Sequence, residues 1–171
     1  MDLANITPIK RKMIQVVVET PKGSQNKYSY EERLGIFCLK KTLPTGMAFP
    51  FDFGFVPNTK GGDGDPLDVL ILMDAAAWPG CLVACRPIGV LIATQREQDG
   101  KPFRNDRIIA VASSSRMFAG LKGLRQLGRK MSSEISGFFE DYNKRDGKRF
   151  TPERFADARH ALSLIRRATV R

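Results

Sequence analysis

The sequence predicts a mainly β fold with helices: a small β-barrel flanked by two helices, in one domain over residues 1–171. Three observations predict it. The first two thirds break into short β-branched or alternating runs separated by glycine and proline turns. The last third changes to apolar residues three and four apart, the period of an amphipathic helix. A hydrophobic fraction of 42% supplies a core for one domain and excludes a disordered chain.

The first strand is MIQVVVET, Met13 to Thr20, rich in β-branched residues and ended by the turn Pro21-Lys22-Gly23. KYSY at 27–30 alternates, and LGIFCLKKTL at 34–43 reads as a strand around Gly35. DVLILM, Asp68 to Met73, is short and apolar enough to be buried on both faces. CLVACRPIGVLIATQ (81–95) and RIIAVAS (107–113) follow, with the polar loop REQDGKPFRND between them. Ile135, Phe138, Phe139 and Tyr142 then fall at i, i+3, i+4 and i+7 and mark the first helix. The second helix is expected to open at TPERF, with Thr151 as N-cap and Pro152 at the first helical position. It continues through Phe155, Ala158, Leu162 and Ile165.

Composition removes several kinds of chemistry. There are three cysteines and no C-x-x-C pair, so neither a zinc ribbon nor a thioredoxin-like site is expected. Cys81 and Cys85, four apart in a strand, would stand about 13 Å apart, too far for a disulfide. The single histidine, His160, sits far from any carboxylate cluster, which argues against histidine triads and histidine-rich zinc sites. Neither a membrane span nor a secretory signal is present, so a cytoplasmic location is expected. The net charge of +10 is concentrated at the end: residues 144–171 carry nine basic and three acidic side chains. That balance suits anionic partners and equally suits a packed helix with a solvated basic face.

The chemistry-bearing stretch is GGDGDPLDVLIL, 61–72, where Asp63, Asp65 and Asp68 lie within six residues. If the segment is extended, Asp63 and Asp65 share a face. A hydrated turn is one reading, since Asp, Gly and Pro are turn residues. An EF-hand is excluded, because its sixth position would be Asp68 rather than glycine and its twelfth Asp74 rather than glutamate. A hard cation held by converging carboxylates is the other reading, and magnesium suits oxygen ligands best.

VVVETPKGSQNKYSY, GMAFPFDFGFVPNT, DGDPLDVL, GCLVACRPIGVL and FFEDY, in this order from Val16 to Tyr142, resemble a family I (soluble) inorganic pyrophosphatase. The resemblance implies a five-stranded OB-like β-barrel flanked by helices, and Mg²⁺-dependent hydrolysis of pyrophosphate to two phosphates. It implies that Asp63, Asp68 and Glu19 are metal ligands, and that Asp65 is the base that activates water. Lys27, Lys41, Arg107 and Tyr142 match positions that hold phosphate oxygens. It also implies a homo-oligomer, usually a hexamer in bacterial members, and specific nucleic-acid binding is not expected.

The sequence departs from the family at several of these positions. Ser29 replaces glutamate, Lys41 replaces arginine, Phe53 replaces tyrosine, Gln95 and Asn105 replace aspartates, and Arg107 and Asn143 replace lysines. Glu31, Glu97 and Asp106 are nearby substitutes, and a bulge after the loop is expected to turn Asp106 inward as a metal ligand. Two other readings stand beside hydrolysis: a weakened relative that binds phosphate compounds, and a nucleic-acid-binding OB-like barrel using the basic tail. Against the last, the aromatics of AFPFDFGF suit a core better than a base-stacking surface.

Overall fold

In the computed structural model, which describes residues 3–98 and 100–170, the β-branched runs close on themselves. Asp99 of the polar loop and Arg171 of the basic tail lie outside the described residues. After a two-residue strand β1 (Ile9–Lys10) come β2 (Met13–Thr20) and the hairpin β3 (Asn26–Glu31) and β4 (Ile36–Thr42). Gly35, with φ of 67°, sits in the hairpin turn rather than inside the strand expected around it. Next are β5 (Asp52–Val56), β6 (Leu67–Leu72), the long β7 (Leu82–Arg96), the short β8 (Phe103–Arg104) and β9 (Arg107–Ala112). Helix α1 (Gly128–Arg145), strand β10 (Arg149–Asp157) and helix α2 (Ala158–Ala168) complete the order.

Five strands form a ring. β2 pairs antiparallel with β5, β5 with β6, β6 runs parallel to β9, and β9 pairs antiparallel with β7. β7 returns to β2 through Ile14 opposite Cys85, which closes the barrel and leaves no open edge there. Its register shifts between Pro87 and Gly89, so the first half serves β2 and the second half serves β10. The β3–β4 hairpin forms a separate two-stranded sheet, tied to the end of β2 where Tyr28 N–H donates to Thr20 Oγ1 at 3.1 Å.

Alternation along each strand sorts the apolar residues into two cores. One draws on all five ring strands, including Val16, Val56, Val69, Ile71, Val90 and Ile108, and is completed by Ala161 and Ile165 of α2. The other lies on the opposite face of β5, β6, β7 and β9, where Leu70, Leu91 and Ile109 meet Ile135 and Phe139 of α1. The helical spacing of Ile135, Phe138, Phe139 and Tyr142 therefore faces this second core. Burying a side chain such as Phe139 contributes about 1.5–3 kcal/mol.

The expected second helix is corrected at its start. Residues 149–157 are strand, with Phe150 opposite Gln95, Pro152 opposite Ala93 and Phe155 opposite Leu91. A Thr-Pro pair suits a helix start, but it also suits an edge strand, where proline's missing N–H costs no ladder bond. The register shift between Pro152 and Arg154 absorbs it. The helix begins instead at Asp157, whose carboxylate accepts from His160 N–H at 2.9 Å as an N-cap. Among the described residues no helix is long and apolar enough to cross a membrane.

Candidate active site

Glu19 is the last but one residue of β2, Lys27 lies in β3, Asp68 is the second residue of β6, Arg107 opens β9 and Tyr142 lies in the last turns of α1. These five elements meet with the 57–66 loop around one cleft of about 1220 Å³, lined also by Asp63 and Asp65. The loop is a turn rather than an extended segment. Gly61 N–H donates to Asp65 C=O at 2.7 Å, Asp65 N–H donates to Asp63 Oδ1 at 3.1 Å, and Gly64 has a φ of 93°. Gly62 is required for a different reason: a Cβ there would come 2.6 Å from the Arg104 carbonyl oxygen.

Glu19 is almost fully buried, and both its oxygens are engaged. One accepts from Tyr30 N–H at 2.8 Å and the other pairs with Lys27 Nζ at 2.9 Å. Lys27 Nζ also stands 4.5 Å from the centroid of the Phe53 ring. Asp68 pairs with Arg107 Nη1 at 2.5 Å. Burial pushes the Asp68 carboxyl up to about 6, against the opposing pull of Arg107 and Lys27, while Glu19 and Asp63 add to the rise. Partial burial of the acid group within an otherwise exposed residue raises Asp63 as well, and Asp65 adds repulsion. Burial likewise raises the Tyr142 phenol and keeps it protonated, despite the nearby Lys27.

Arg107 is the most enclosed cation. Its guanidinium carbon lies 5.2, 5.4 and 5.9 Å from the ring centroids of Phe139, Phe150 and Phe53. Nη1 also donates to the Asn105 side-chain oxygen, and Nε is buried without an acceptor among the described residues.

Two expected residues stand apart. Lys41 lies at the rim, its ammonium 3.9 Å over the Tyr142 ring and paired with Asp146. Asp106 does not turn inward, which corrects the expectation of a bulge. Its carboxylate accepts from Ala93 N–H at 2.9 Å and from Arg104 at 2.6 Å, fixing it in a separate cavity of about 270 Å³ behind the loop. The cleft position two residues before Arg107 belongs to Asn105. Sequence reasoning missed the rim pairs Lys41–Asp146 and Lys148–Glu97, because KRDGK at 144–148 reads only as tail charge.

The donor set is hard oxygen, and the Asp63 and Asp65 carboxylates pair with no basic side chain among the described residues, so the cleft fits a divalent cation. No three carboxylates among the described residues already converge on one point. Arg107 and Lys27 stand on Asp68 and Glu19 instead.

A family model described as inorganic pyrophosphatase matches residues 16–171. The chain belongs to the inorganic pyrophosphatase family. An inorganic pyrophosphatase of Synechocystis is 35% identical over 149 residues, covering 86% of this chain and 85% of its own. One from Streptomyces coelicolor is 40% identical over 127 residues, with 74% and 75% covered. The crystal structure of inorganic pyrophosphatase from Thermus thermophilus superposes with a TM-score of 0.88 at 28% identity, covering 99% of this chain and 97% of that one. The fold of this solved neighbour accords with the five-strand ring seen here. Of the departures from the pyrophosphatase pattern, all but Lys41 line the cleft, and so do the nearby carboxylates Glu31 and Glu97. Asn143 folds back on its own helix and donates to the Phe139 carbonyl at 2.8 Å.

Proposed function

We propose that this chain hydrolyses inorganic pyrophosphate to two orthophosphates with Mg²⁺ as its cation. One observation carries the reading: in a chain of this family, a single cleft joins the carboxylates of Glu19, Asp63, Asp65 and Asp68 to Lys27, Arg107 and Tyr142. Asp63, Asp68 and Glu19 would hold Mg²⁺. When bound, the ion supplies positive charge against the phosphate oxygens and makes an attacking water more acidic.

Asp65, exposed on the turn, takes the proton of the water as its oxygen bonds to phosphorus and the bridging P–O bond breaks. Lys27 and Arg107, both lining the cleft, stabilise the charge that moves onto the departing phosphate. The protonated Tyr142 hydroxyl donates to a phosphate oxygen, and Lys41 attracts the anion at the rim. The reading extends to a cytoplasmic homo-oligomer, which the family resemblance implies as a hexamer.

A second reading, a weakened phosphate-binding relative, is favoured by the two neutral amides, Gln95 and Asn105, in the cleft wall. Phosphate release from magnesium pyrophosphate decides between them. Two phosphates per pyrophosphate, with release dependent on Mg²⁺, are expected of the full-length protein. No release above the uncatalysed rate at any Mg²⁺ concentration would leave only the binding reading.

A further inference from the structure

The wall formed by β7 and β9 carries an unbroken line of directed hydrogen bonds. Arg107 Nη1 donates to the Asn105 side-chain oxygen, Asn105 Nδ2 donates to Gln95 Oε1 at 3.0 Å, and Gln95 Nε2 donates to Glu97 Oε1 at 2.9 Å. Lys148 closes the outer end on Glu97 at 3.0 Å. Every bond points outward from the guanidinium, so each amide presents its oxygen towards Arg107 and its N–H₂ towards the glutamate. Bonds aligned in this way polarise one another, and Glu97 at the far end strengthens the acceptor that Arg107 meets.

Gln95, Asn105 and Arg107 are all buried, and three phenyl rings enclose the guanidinium. The rings present no competing acceptor. The carboxylates that meet this wall are already matched, Asp68 of the neighbouring β6 to Arg107 and Glu97 to Lys148. The amides bring no charge of their own.

We propose that Gln95 and Asn105 are positioning residues that hold Arg107 on Asp68, so that a built-in guanidinium stands where this wall would otherwise need a further divalent ion. A divalent ion that takes Asp68 as a ligand must then compete with this guanidinium for the carboxylate. The inference rests on the pyrophosphatase reading for its meaning, but it concerns ion number and affinity rather than turnover. An aspartate at 105 would add a carboxylate beside Asp68 and compete for the guanidinium.

The test counts Mn²⁺ ions on the full-length, substrate-free protein by electron paramagnetic resonance. Asn105→Asp is expected to bind one ion more than the natural chain. Arg107→Gln frees Asp68 without adding charge and is expected to bind Mn²⁺ about tenfold more tightly, the scale of one removed opposite charge. Gln95→Leu removes the acceptor for the Asn105 amide and touches neither Asp68 nor Arg107. Its Mn²⁺ affinity should move in the same direction as that of Arg107→Gln. A merely structural Gln95 would lower the melting temperature and leave Mn²⁺ affinity unchanged.

Circular dichroism identifies the variants that fold, and any one of the three that does so decides by the same comparison. Ion numbers and affinities equal to those of the natural chain overturn the proposal. Because pyrophosphate is absent from the count, a natural chain without turnover would sink the hydrolytic reading and leave this result standing.

Discussion

On the loop wall of the cleft, Asp63 and Asp65 stand on an exposed turn and pair with no basic side chain among the described residues. On the opposite wall, Asp68 meets a buried arginine that is fixed by two amides and three aromatic rings. Both walls carry carboxylates, but they are neutralised from different sources. The loop leaves its charge open to ions from solvent. The β7–β9 wall satisfies its charge from within the chain, where low dielectric makes each paired bond stronger and each unpaired group more costly. Crowded carboxylates therefore do not by themselves count the cations a site takes, because the neighbouring strand decides how many remain unmatched.

Asp65→Asn is expected to have the largest effect, because it keeps the shape of the loop wall and removes its base. A positioned base contributes about 10²–10⁴-fold, and phosphate release is expected to fall by that order. Melting temperature should change little, since Asp65 is exposed and pairs with no basic side chain among the described residues. Hydrolysis near the natural rate would remove Asp65 from the role. Gly62→Ala comes next, because it pushes the two walls apart. The new Cβ would meet the Arg104 carbonyl at 2.6 Å, with backbone on both sides of the contact. A cost of about 1–3 kcal/mol in urea unfolding is expected, with weaker Mg²⁺ binding as the turn shifts. An unchanged urea midpoint would show that the loop is not braced there.

Strand periodicity made most of the barrel legible, and it failed where pairing partners decided the outcome. MIQVVVET and DVLILM carry enough β-branched and apolar residues to fix their state locally. DFGFV in β5 is wholly buried between two neighbours, yet its glycine and the prolines around it hide the strand. RFTPERFAD became strand because β7 offered an unpaired edge beside it, information that lies some sixty residues earlier in the chain. The aspartate cluster was visible as a group, since its members are adjacent. The Asp68–Arg107 pair was not visible from spacing, because the barrel sets β6 beside β9. Nor was the Glu19–Lys27 pair, because the β3–β4 hairpin folds back on the end of β2. Asp106 shows the opposite error: adjacency in sequence suggested a ligand, and strand alternation sent its carboxylate to Ala93 and Arg104.

The Asp68 carboxyl is raised to about 6, so its protonated form dominates below that pH and its ionised form above it. A divalent ion needs the ionised form, and binding must release the proton. Mg²⁺ affinity should therefore hold steady above about pH 7 and fall as pH drops through about 6, approaching tenfold per unit below it. Calorimetric titrations between pH 5 and 8 in buffers of different ionisation enthalpy would show both the fall and the proton release. A fall centred near 4, the ordinary carboxylate range, would show that Asp68 is not the group that limits binding.

The smallest effect is expected on the basic face of α2, outside the cleft that holds the candidate site residues. Ala161 and Ile165 anchor this helix in the barrel core, while Arg166 and Arg167 remain exposed. Arg167 donates to Ser163 Oγ at 3.0 Å within the same helix, an exposed contact worth little. Deleting the tail would not isolate its charge, because residues 149–157 form β10 along β7 and the fold would be damaged with them. The double reversal Arg166→Glu and Arg167→Glu changes the charge and leaves the buried face intact. Stability should stay within about 0.5 kcal/mol and phosphate release should be unaltered, as for ordinary surface positions. Binding of a labelled oligonucleotide should be weak in the natural chain and vanish with added salt, the behaviour of simple charge attraction. Tight binding at physiological salt that the reversal abolishes would instead make this helix face a nucleic-acid surface, separate from the cleft.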